Sequence, residues 1–329
     1  MEIRSGTTCL VTGGAGFIGS HLVEALVRRG ATVRAFVHYG AGGTGHLPSL
    51  PRSITADVEV IAGDILDVET VTDAHRGVDV SFHLAALVGI PYSYRSPRDV
   101  IETNVIGTLN VLLAARAHDV QRIVHTSTSE VYGSAQTVPI SESHPLVGQS
   151  PYSASKIGAD QLAVSFHRSY GLPVALARPF NTYGPRQSTR AIIPTIIGQA
   201  LTGPQVRLGS TRPTRDFNYV SDTAAGFIAI AAADEALGQV FNVGTGREVS
   251  IGELVTLIGE VVGRQLDVVE DADRLRPAAS EVDRLVADAT RLRALTGWAP
   301  EVPLVEGLRR TTAWLQEHLD PGAASVYAV

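Results

Sequence analysis

Residues 10–20 read Leu-Val-Thr-Gly-Gly-Ala-Gly-Phe-Ile-Gly-Ser. Gly14, Gly16 and Gly19 satisfy the spacing G-x-G-x-x-G, and Gly13, Gly16 and Gly19 the related G-x-x-G-x-x-G. A short β-branched run, Thr8–Val11, precedes this loop, and a helical pattern, Ser20–Arg29, follows it. A residue without Cβ lets the backbone approach a pyrophosphate and lets a helix pack tightly on its strand. The start of a helix adds unpaired N–H groups and a dipole that favours negative charge. In this context the loop implies a βαβ unit that binds a dinucleotide, with Gly13, Gly16, Phe17, Ile18 and Gly19 facing it.

The same alternation continues downstream. Thr32–Val37, Glu59–Ala62, Val80–Leu84, Arg122–Thr126 and Val174–Arg178 read as strands. Val68–His75, Arg98–His118 and Pro151–Tyr170 read as helices between them. Strands and helices in alternation predict an α/β protein with a Rossmann-type, doubly wound parallel sheet. After Pro179 proline and glycine become frequent and the pattern turns irregular, which points to a smaller C-terminal substrate-binding domain. The expected division is a dinucleotide-binding domain at 1–178 plus about 213–240, a second domain at about 179–212 and 241–320, and a flexible tail at 321–329.

The chain has 329 residues, 18% of them charged, and a net charge of −6. These values fit a folded protein and give no footprint for nucleic acid. Cys9 is the one cysteine and lies in an apolar segment, so it reads as a core residue and not half of a disulfide. There is no basic, apolar and small-residue leader pattern at the start, and no continuous apolar run approaches a membrane span. The expectation is a cytoplasmic protein without nucleic-acid or membrane partners, and no residue set suggests a metal.

The second strand ends Phe36-Val37-His38-Tyr39, where an acidic residue ordinarily bonds the ribose hydroxyls. No Asp or Glu occurs between Glu24 and Asp57, and no Arg follows the strand directly to receive a 2′-phosphate. The choice between NAD and NADP therefore stays open. Asp64 in Gly63-Asp64-Ile65 reads either as a contact to adenine or as a helix-entry cap.

Tyr152 and Lys156 stand four apart in Tyr-Ser-Ala-Ser-Lys, on one face of a helix. A nearby ammonium favours the phenolate, and a phenol tuned towards neutrality can take a hydroxyl proton while hydride leaves the same carbon. The fifth strand runs into Thr126-Ser127-Thr128-Ser129-Glu130. In a doubly wound sheet, strand C-termini face the ligand crevice, which brings Thr128, Ser129 and Glu130 towards the cofactor.

With these residues in hand, the chain resembles the extended short-chain dehydrogenase/reductases of the sugar-nucleotide epimerase/dehydratase family. The shared stretches are residues 12–19, His-Leu-Ala-Ala at 83–86, the Thr-Ser-Glu strand end, Tyr152-x-x-x-Lys156, residues 178–185, Arg215-Asp-Phe and Asn242-Val-Gly, with a weaker match at Gly297-Trp298. Several segments look most like the 4,6-dehydratases of the legionaminic-acid pathway that act on GDP-N-acetylglucosamine: Ile90-Pro-Tyr-Ser-Tyr, Gln149 to Asp160, Asn181-Thr-Tyr-Gly-Pro-Arg-Gln-Ser and Pro213 to Val220.

The resemblance implies an NAD enzyme, NADP not being excluded, with His38, Asp64, Ile65, Leu84, Ala85, Ala86, Tyr152 and Lys156 also at the cofactor. It implies a nucleotide-diphosphate sugar as substrate, with Thr128 at the sugar O4 and Asn181, Arg215 and Arg276 at the diphosphate. Arg186 and Arg190 would lie near the base pocket. It further implies a homodimer through Arg98–His118 and Pro151–Tyr170, with Val105, Leu109, Leu112 and Leu113 facing either a partner or the chain's own sheet. In such dehydratases Tyr152 would take the O4 proton as C4 is oxidised. Glu130 would remove the C5 proton, and hydride would return to C6. Ser129 stands where many members carry Asp, so Glu130 or a water must deliver the proton to the leaving hydroxyl. UDP-glucuronate decarboxylation, 4-epimerisation and a non-catalytic nucleotide sensor are the competing readings.

Overall fold

A computed structural model describes residues 1–40, 44–275 and 280–318. The first part forms β1 (Thr8–Thr12), α1 (Phe17–Val27), β2 (Thr32–His38), α2 (Arg52–Thr55), β3 (Val58–Gly63), α3 (Val68–Ala74) and β4 (Val80–His83). Next come α4 (Ile90–Arg95), α5 (Pro97–Ile101), α6 (Gly107–Ala117), β5 (Arg122–Thr126), α7 (Pro151–Tyr170) and β6 (Val174–Pro179). The remainder comprises β7 (Asn181–Tyr183), α8 (Ile192–Thr202), β8 (Gln205–Leu208), β9 (Thr214–Arg215), β10 (Phe217–Tyr219), α9 (Val220–Ala232) and β11 (Val240–Val243). It closes with β12 (Val249–Ser250), α10 (Ile251–Val262), β13 (Asp267–Glu270), β14 (Arg284–Leu285), α11 (Thr290–Thr296) and α12 (Leu304–His318).

Seven strands form one sheet in the order β11-β6-β5-β4-β1-β2-β3, and every pair in it is parallel. The chain order reverses between β1 and β4, so their C-terminal ends open the crevice in which doubly wound sheets bind ligands. The α/β expectation is met. Alternate residues of β1 serve opposite faces, as a pleated strand requires. Cys9 and Val11 pack with Leu22 and Leu26 of α1 and Phe227 of α9. Leu10 packs with Val71 of α3, Leu112 of α6 and Phe166 of α7. Burial of each such large side chain contributes about 1.5–3 kcal/mol. Cys9 is fully buried, and its burial pushes the thiol up to about 12.

The second lobe packs α8, α10 and α12 around Ile196, Ile197, Leu254, Ile258 and Leu308. Its strands form small separate sheets, β10-β7, β12-β9-β14 and β13-β8. Residues 214–215, expected in the dinucleotide unit, pair with β12 and β14 of these small sheets. The main sheet extends to Val243, past the boundary expected near 240, because Val240–Val243 pairs with Leu176–Pro179. The tail at 321–329 lies outside the described residues.

Local signals account for the helix that matters most. Ser150 accepts from the Ser153 N–H, and the Ser153 hydroxyl is engaged by the Ser150 N–H in return, a capping box that starts α7. Pro151 follows at the first helical position, where its missing N–H costs nothing. Gly171 ends α7 at φ 68°, a left-handed conformation that glycine adopts without steric penalty.

Two expectations change. Helix α1 starts at Phe17, not Ser20, which brings its first N–H groups directly behind the glycine loop. Arg98–His118 belongs to a longer helical run, Pro97–Ala117, interrupted by a π-turn at Glu102–Ile106. That run is long and apolar enough to cross a membrane by composition, yet half of its most apolar window is buried inside the fold, as in a core helix. Leu112 is buried against the sheet side, whereas Leu113, Ile101 and Ile106 are exposed on the outer face.

Candidate active site

A cleft of about 820 Å³ runs along the C-terminal ends of β1, β2, β4 and β5. Gly13, Gly16, Phe17, Ile18 and Gly19 line it at the phosphate loop, together with His38 at the end of β2. Leu84, Ala85 and Ala86 line its floor. Thr128, Ser129, Glu130, Tyr152, Lys156 and Asn181 line the other end.

The loop is shaped by close approach. A Cβ on Gly13 would stand 3.0 Å from the Ala85 nitrogen, and one on Gly19 would overlap the Gly13 carbonyl oxygen. Gly16 precedes α1 with no side-chain cap, which leaves the N–H groups of the first turn to a ligand. This cradle fits a pyrophosphate. At the far end, Asn181 Oδ1 is buried without a hydrogen-bond partner, in a residue that lines the cleft. A buried acceptor of that kind calls for a donor from a bound molecule.

The catalytic group sits on two elements. The Thr128 hydroxyl accepts from the Glu130 N–H at 3.2 Å and starts a short helical turn over Ser129–Tyr132. From α7, the Tyr152 hydroxyl is hydrogen-bonded to Thr128. Tyr152 and Lys156 are both buried, 7% and 3% exposed. Burial raises the Tyr152 hydroxyl above its ordinary value, the Thr128 hydrogen bond opposes the rise, and the negative charge of Glu130 adds to it. The sequence-based expectation of a phenol tuned downwards by Lys156 is therefore not met by the protein's own groups.

Burial lowers the Lys156 ammonium to about 8, with Asp160 pulling it back up. The signs oppose each other. Relief from burying this charge is fully present above about 10.5 and is lost as the pH falls to about 8. The charge that favours a phenolate exists only below about 8. Turnover is accordingly expected to decline above pH 8 with a limiting slope of about tenfold per unit. A pH–rate profile checks this, and a flat profile up to pH 10 contradicts it.

Behind these residues lies a buried network that the spacing arguments missed. Asp160 is fully buried and accepts from the Ser127 hydroxyl at 2.7 Å and from Arg178 at 3.0 and 3.3 Å. His125 Nε2 lies 3.2 Å from its other oxygen. Burial alone would raise this carboxyl, but the His125, Arg178 and Ser127 contacts hold it below the usual range. Arg178 also donates to the Tyr132 hydroxyl, which donates to Asn242. Thr108 donates to the Asn104 carbonyl and so accepts from His83 Nε2, which leaves His83 Nδ1 to accept from Thr12. Thr12 in turn accepts from the Leu84 and Ala85 N–H groups, locking the cleft floor to the phosphate-loop strand. Asn104, in the π-turn, holds Leu87 by both backbone groups and Ser155 of α7. A π-turn at such a junction is itself a site marker, but helical periodicity does not reveal it.

Several expected residues are placed elsewhere. Ile65 does not line the cleft; its side chain is buried in the core beneath α3 and α6 and packs on Gly107. Asp64 closes its own turn by accepting from the Leu66 N–H at 2.9 Å, and the helix-entry cap is Asp67. Arg190 is exposed and does not line the cleft. Arg215 is buried in β9, 3.5 Å from Glu281, and is not part of the lining either. Arg276 lies outside the described residues. Arg186 does not reach a base pocket, because its guanidinium turns into the fold. It donates to the Ser20 hydroxyl and to Glu24, and lies against His21, all on α1. Its backbone is left-handed at φ 69°, an uncommon conformation for a side chain of this size.

Residues 10–311 match the family model described as GDP-mannose 4,6 dehydratase. The chain is similar to a dTDP-glucose 4,6-dehydratase of Streptomyces antibioticus, 36% identical over 94% of this chain and 92% of that protein. It is also similar to a UDP-N-acetyl-alpha-D-glucosaminuronate decarboxylase of Bacillus cytotoxicus, 34% identical over 94% and 98%. Among solved structures, a UDP-glucuronic acid 4-epimerase from Bacillus cereus in complex with UDP-glucuronic acid and NAD superposes with a TM-score of 0.86 at 27% identity, covering 94% and 99% of the two chains. Fold, cleft and sequence matches together define a nicotinamide-dependent enzyme acting on nucleotide sugars. The chain belongs to the GDP-mannose 4,6-dehydratase-like family of NAD-dependent sugar-nucleotide dehydratases and epimerases.

Proposed function

We propose that this chain is a nucleotide-sugar 4,6-dehydratase, converting an NDP-hexose into its 4-keto-6-deoxy form with loss of water across C5–C6. One observation carries the reading: the Glu130 carboxylate shares a cleft with Tyr152, Thr128 and Lys156, while Lys156 is the only cation among the described residues that line it. A uronate substrate calls for a cation to hold its C6 carboxylate, preferably an Arg fork. A 4-epimerase has no proton to take at C5, so a carboxylate there would be an idle, partly buried charge.

NAD, held by Gly13, Gly16, Gly19 and the start of α1, supplies when bound the hydride-accepting and hydride-returning nicotinamide, whose positive charge also favours the phenolate of Tyr152. Tyr152 takes the proton from the sugar O4, which the Thr128 hydroxyl holds in place. Lys156 supplies positive charge to the resulting phenolate from the same helix face. Once C4 is a ketone the C5 hydrogen is acidic, and Glu130 removes it. The Ser129 hydroxyl is too weak an acid to protonate the leaving C6 hydroxyl. Glu130, now protonated, returns that proton to the leaving hydroxyl, so the substrate loses H from C5 and OH from C6 as water. The resulting 5,6-unsaturated ketone then takes a hydride at C6 and a solvent-exchanged proton at C5, which balances the proton that Tyr152 took from O4.

GDP-N-acetylglucosamine is the first substrate to assay, on the resemblance of residues 90–94, 149–160, 181–188 and 213–220. The protein is incubated with GDP-, UDP-, CDP- and dTDP-sugars and the products weighed by mass spectrometry. Loss of water supports the reading. Loss of carbon dioxide, or unchanged mass with inversion at C4, replaces it with decarboxylation or epimerisation.

A further inference from the structure

Lys156 is the one lysine of the chain; every other member of the Lys-plus-Arg total of 27 is an arginine. A guanidinium stays charged in a protein, whereas a buried ammonium gives up its proton readily. The charge on Lys156 is therefore set by its surroundings. Tyr152, Lys156 and Asp160 follow at intervals of four along one face of α7, and all three are buried. Asp160 does not line the cleft. Its carboxylate is fixed from outside the helix by Ser127 at 2.7 Å, by Arg178 of β6 at 3.0 and 3.3 Å, and by His125 of β5 at 3.2 Å. The other titratable groups on this face are His83 of β4 and Glu130, which lines the cleft. Burial holds His83 and His125 below the ordinary histidine value, so both rings are neutral near pH 7. Asp160 is the group that opposes the effect of burial on Lys156. Its charge also adds to the rise of the Tyr152 hydroxyl, after burial and Glu130, so any benefit to the phenolate runs through Lys156.

We propose that Asp160 is the fixed counter-ion of Lys156, a positioning residue that keeps the amine charged beside Tyr152 from behind the cleft wall. A carboxylate one helical turn away favours the ammonium over the amine. Against the pull of burial, His125, Arg178 and Ser127 keep that carboxylate ionised. The network built on β5 and β6 thus reaches the reacting pair through a single charge. The inference rests on the reading of Tyr152 and Lys156 as that pair, and it is independent of which sugar the cleft takes.

The experiment uses the chain grown with lysine carrying ¹³C at Cε, whose single resonance reports the protonation of Lys156 because no second lysine exists. The full chain is titrated by NMR at a fixed concentration of NAD⁺ and without sugar, so the reading stands apart from the dehydratase assignment. Asp160→Asn keeps the shape and removes the charge, and the midpoint should fall by about one pH unit or more. Asp160→Glu keeps the charge, and its midpoint should lie within about half a unit of wild type. Asp160→Asn also strands the buried Arg178 charge, a costly change. Asp160→Asn combined with Arg178→Gln removes both charges, and its midpoint should fall by about half a unit or more. Circular dichroism checks each fold. A merely structural Asp160 would leave the midpoint of a folded variant in place, and that result in either the single or the double variant overturns the inference. The alkaline fall in turnover should move down together with the midpoint; a fall that stays in place removes Asp160 from the reaction. A midpoint that shifts as expected, in a protein that removes no water from any sugar nucleotide, upholds the inference and fails the dehydratase reading alone.

Discussion

Tyr152→Phe is expected to lower turnover by about 10²–10⁴-fold, the range typical for removal of a general acid–base group. The ring packs with Ile90 and Val100 in a small apolar cluster, and phenylalanine keeps that packing. What disappears is the hydroxyl and its hydrogen bond to Thr128, worth about 1 kcal/mol to the fold. Binding of the nucleotide sugar, measured by titration, should therefore stay near the wild-type value while turnover collapses. Near-normal turnover in this variant would remove Tyr152 from the chemistry.

Glu130→Gln separates the two halves of the proposed reaction. The amide keeps the shape of the side chain but cannot take a proton, and water loss should fall by about 10²–10⁴-fold. Tyr152, Lys156 and Thr128 remain, so oxidation at C4 should survive and the near-ultraviolet absorbance of reduced cofactor should accumulate. Wild-type product formed in deuterated water should carry deuterium at C5. A product that retains its C6 hydroxyl and shows no deuterium at C5 would rule out dehydration.

Much of the fold was legible because it is written in local patterns. Arg122–Thr126 and Pro151–Tyr170 coincide with their expected bounds, since a β-branched run, a serine cap and a terminal glycine each act within a few residues. The glycine loop and the Tyr152–Lys156 pair are legible for the same reason. Contacts made through space are not. Asp160 looks like one more polar residue on a helix, yet it is the buried centre that joins β5, β6 and α7. Ile65 follows a strand end as a cofactor-facing residue would, but the space beside Gly107 draws its side chain into the core. Arg215 pairs with Glu281 far along the chain, a partner that no spacing rule reaches. The upward shift of Tyr152 is likewise a property of burial, which the Tyr-x-x-x-Lys spacing does not encode.

The Arg186 strut sets a rule for anyone recombining parts of this fold. The segment after β7 belongs in sequence to the second lobe, but the Arg186 guanidinium is seated in α1, on Ser20 and Glu24, with the Pro185 carbonyl against His21. Burial, then the Arg186 charge, lowers His21 to about 4, so its ring stays neutral beside the strut at physiological pH. A loop exchange that imports residues 181–191 into a relative must carry Ser20, His21 and Glu24 with it. Otherwise the graft arrives with a strained left-handed arginine and no acceptor for its charge. The structural unit to move in this scaffold is therefore discontinuous, with one piece drawn from the helix behind the glycine loop.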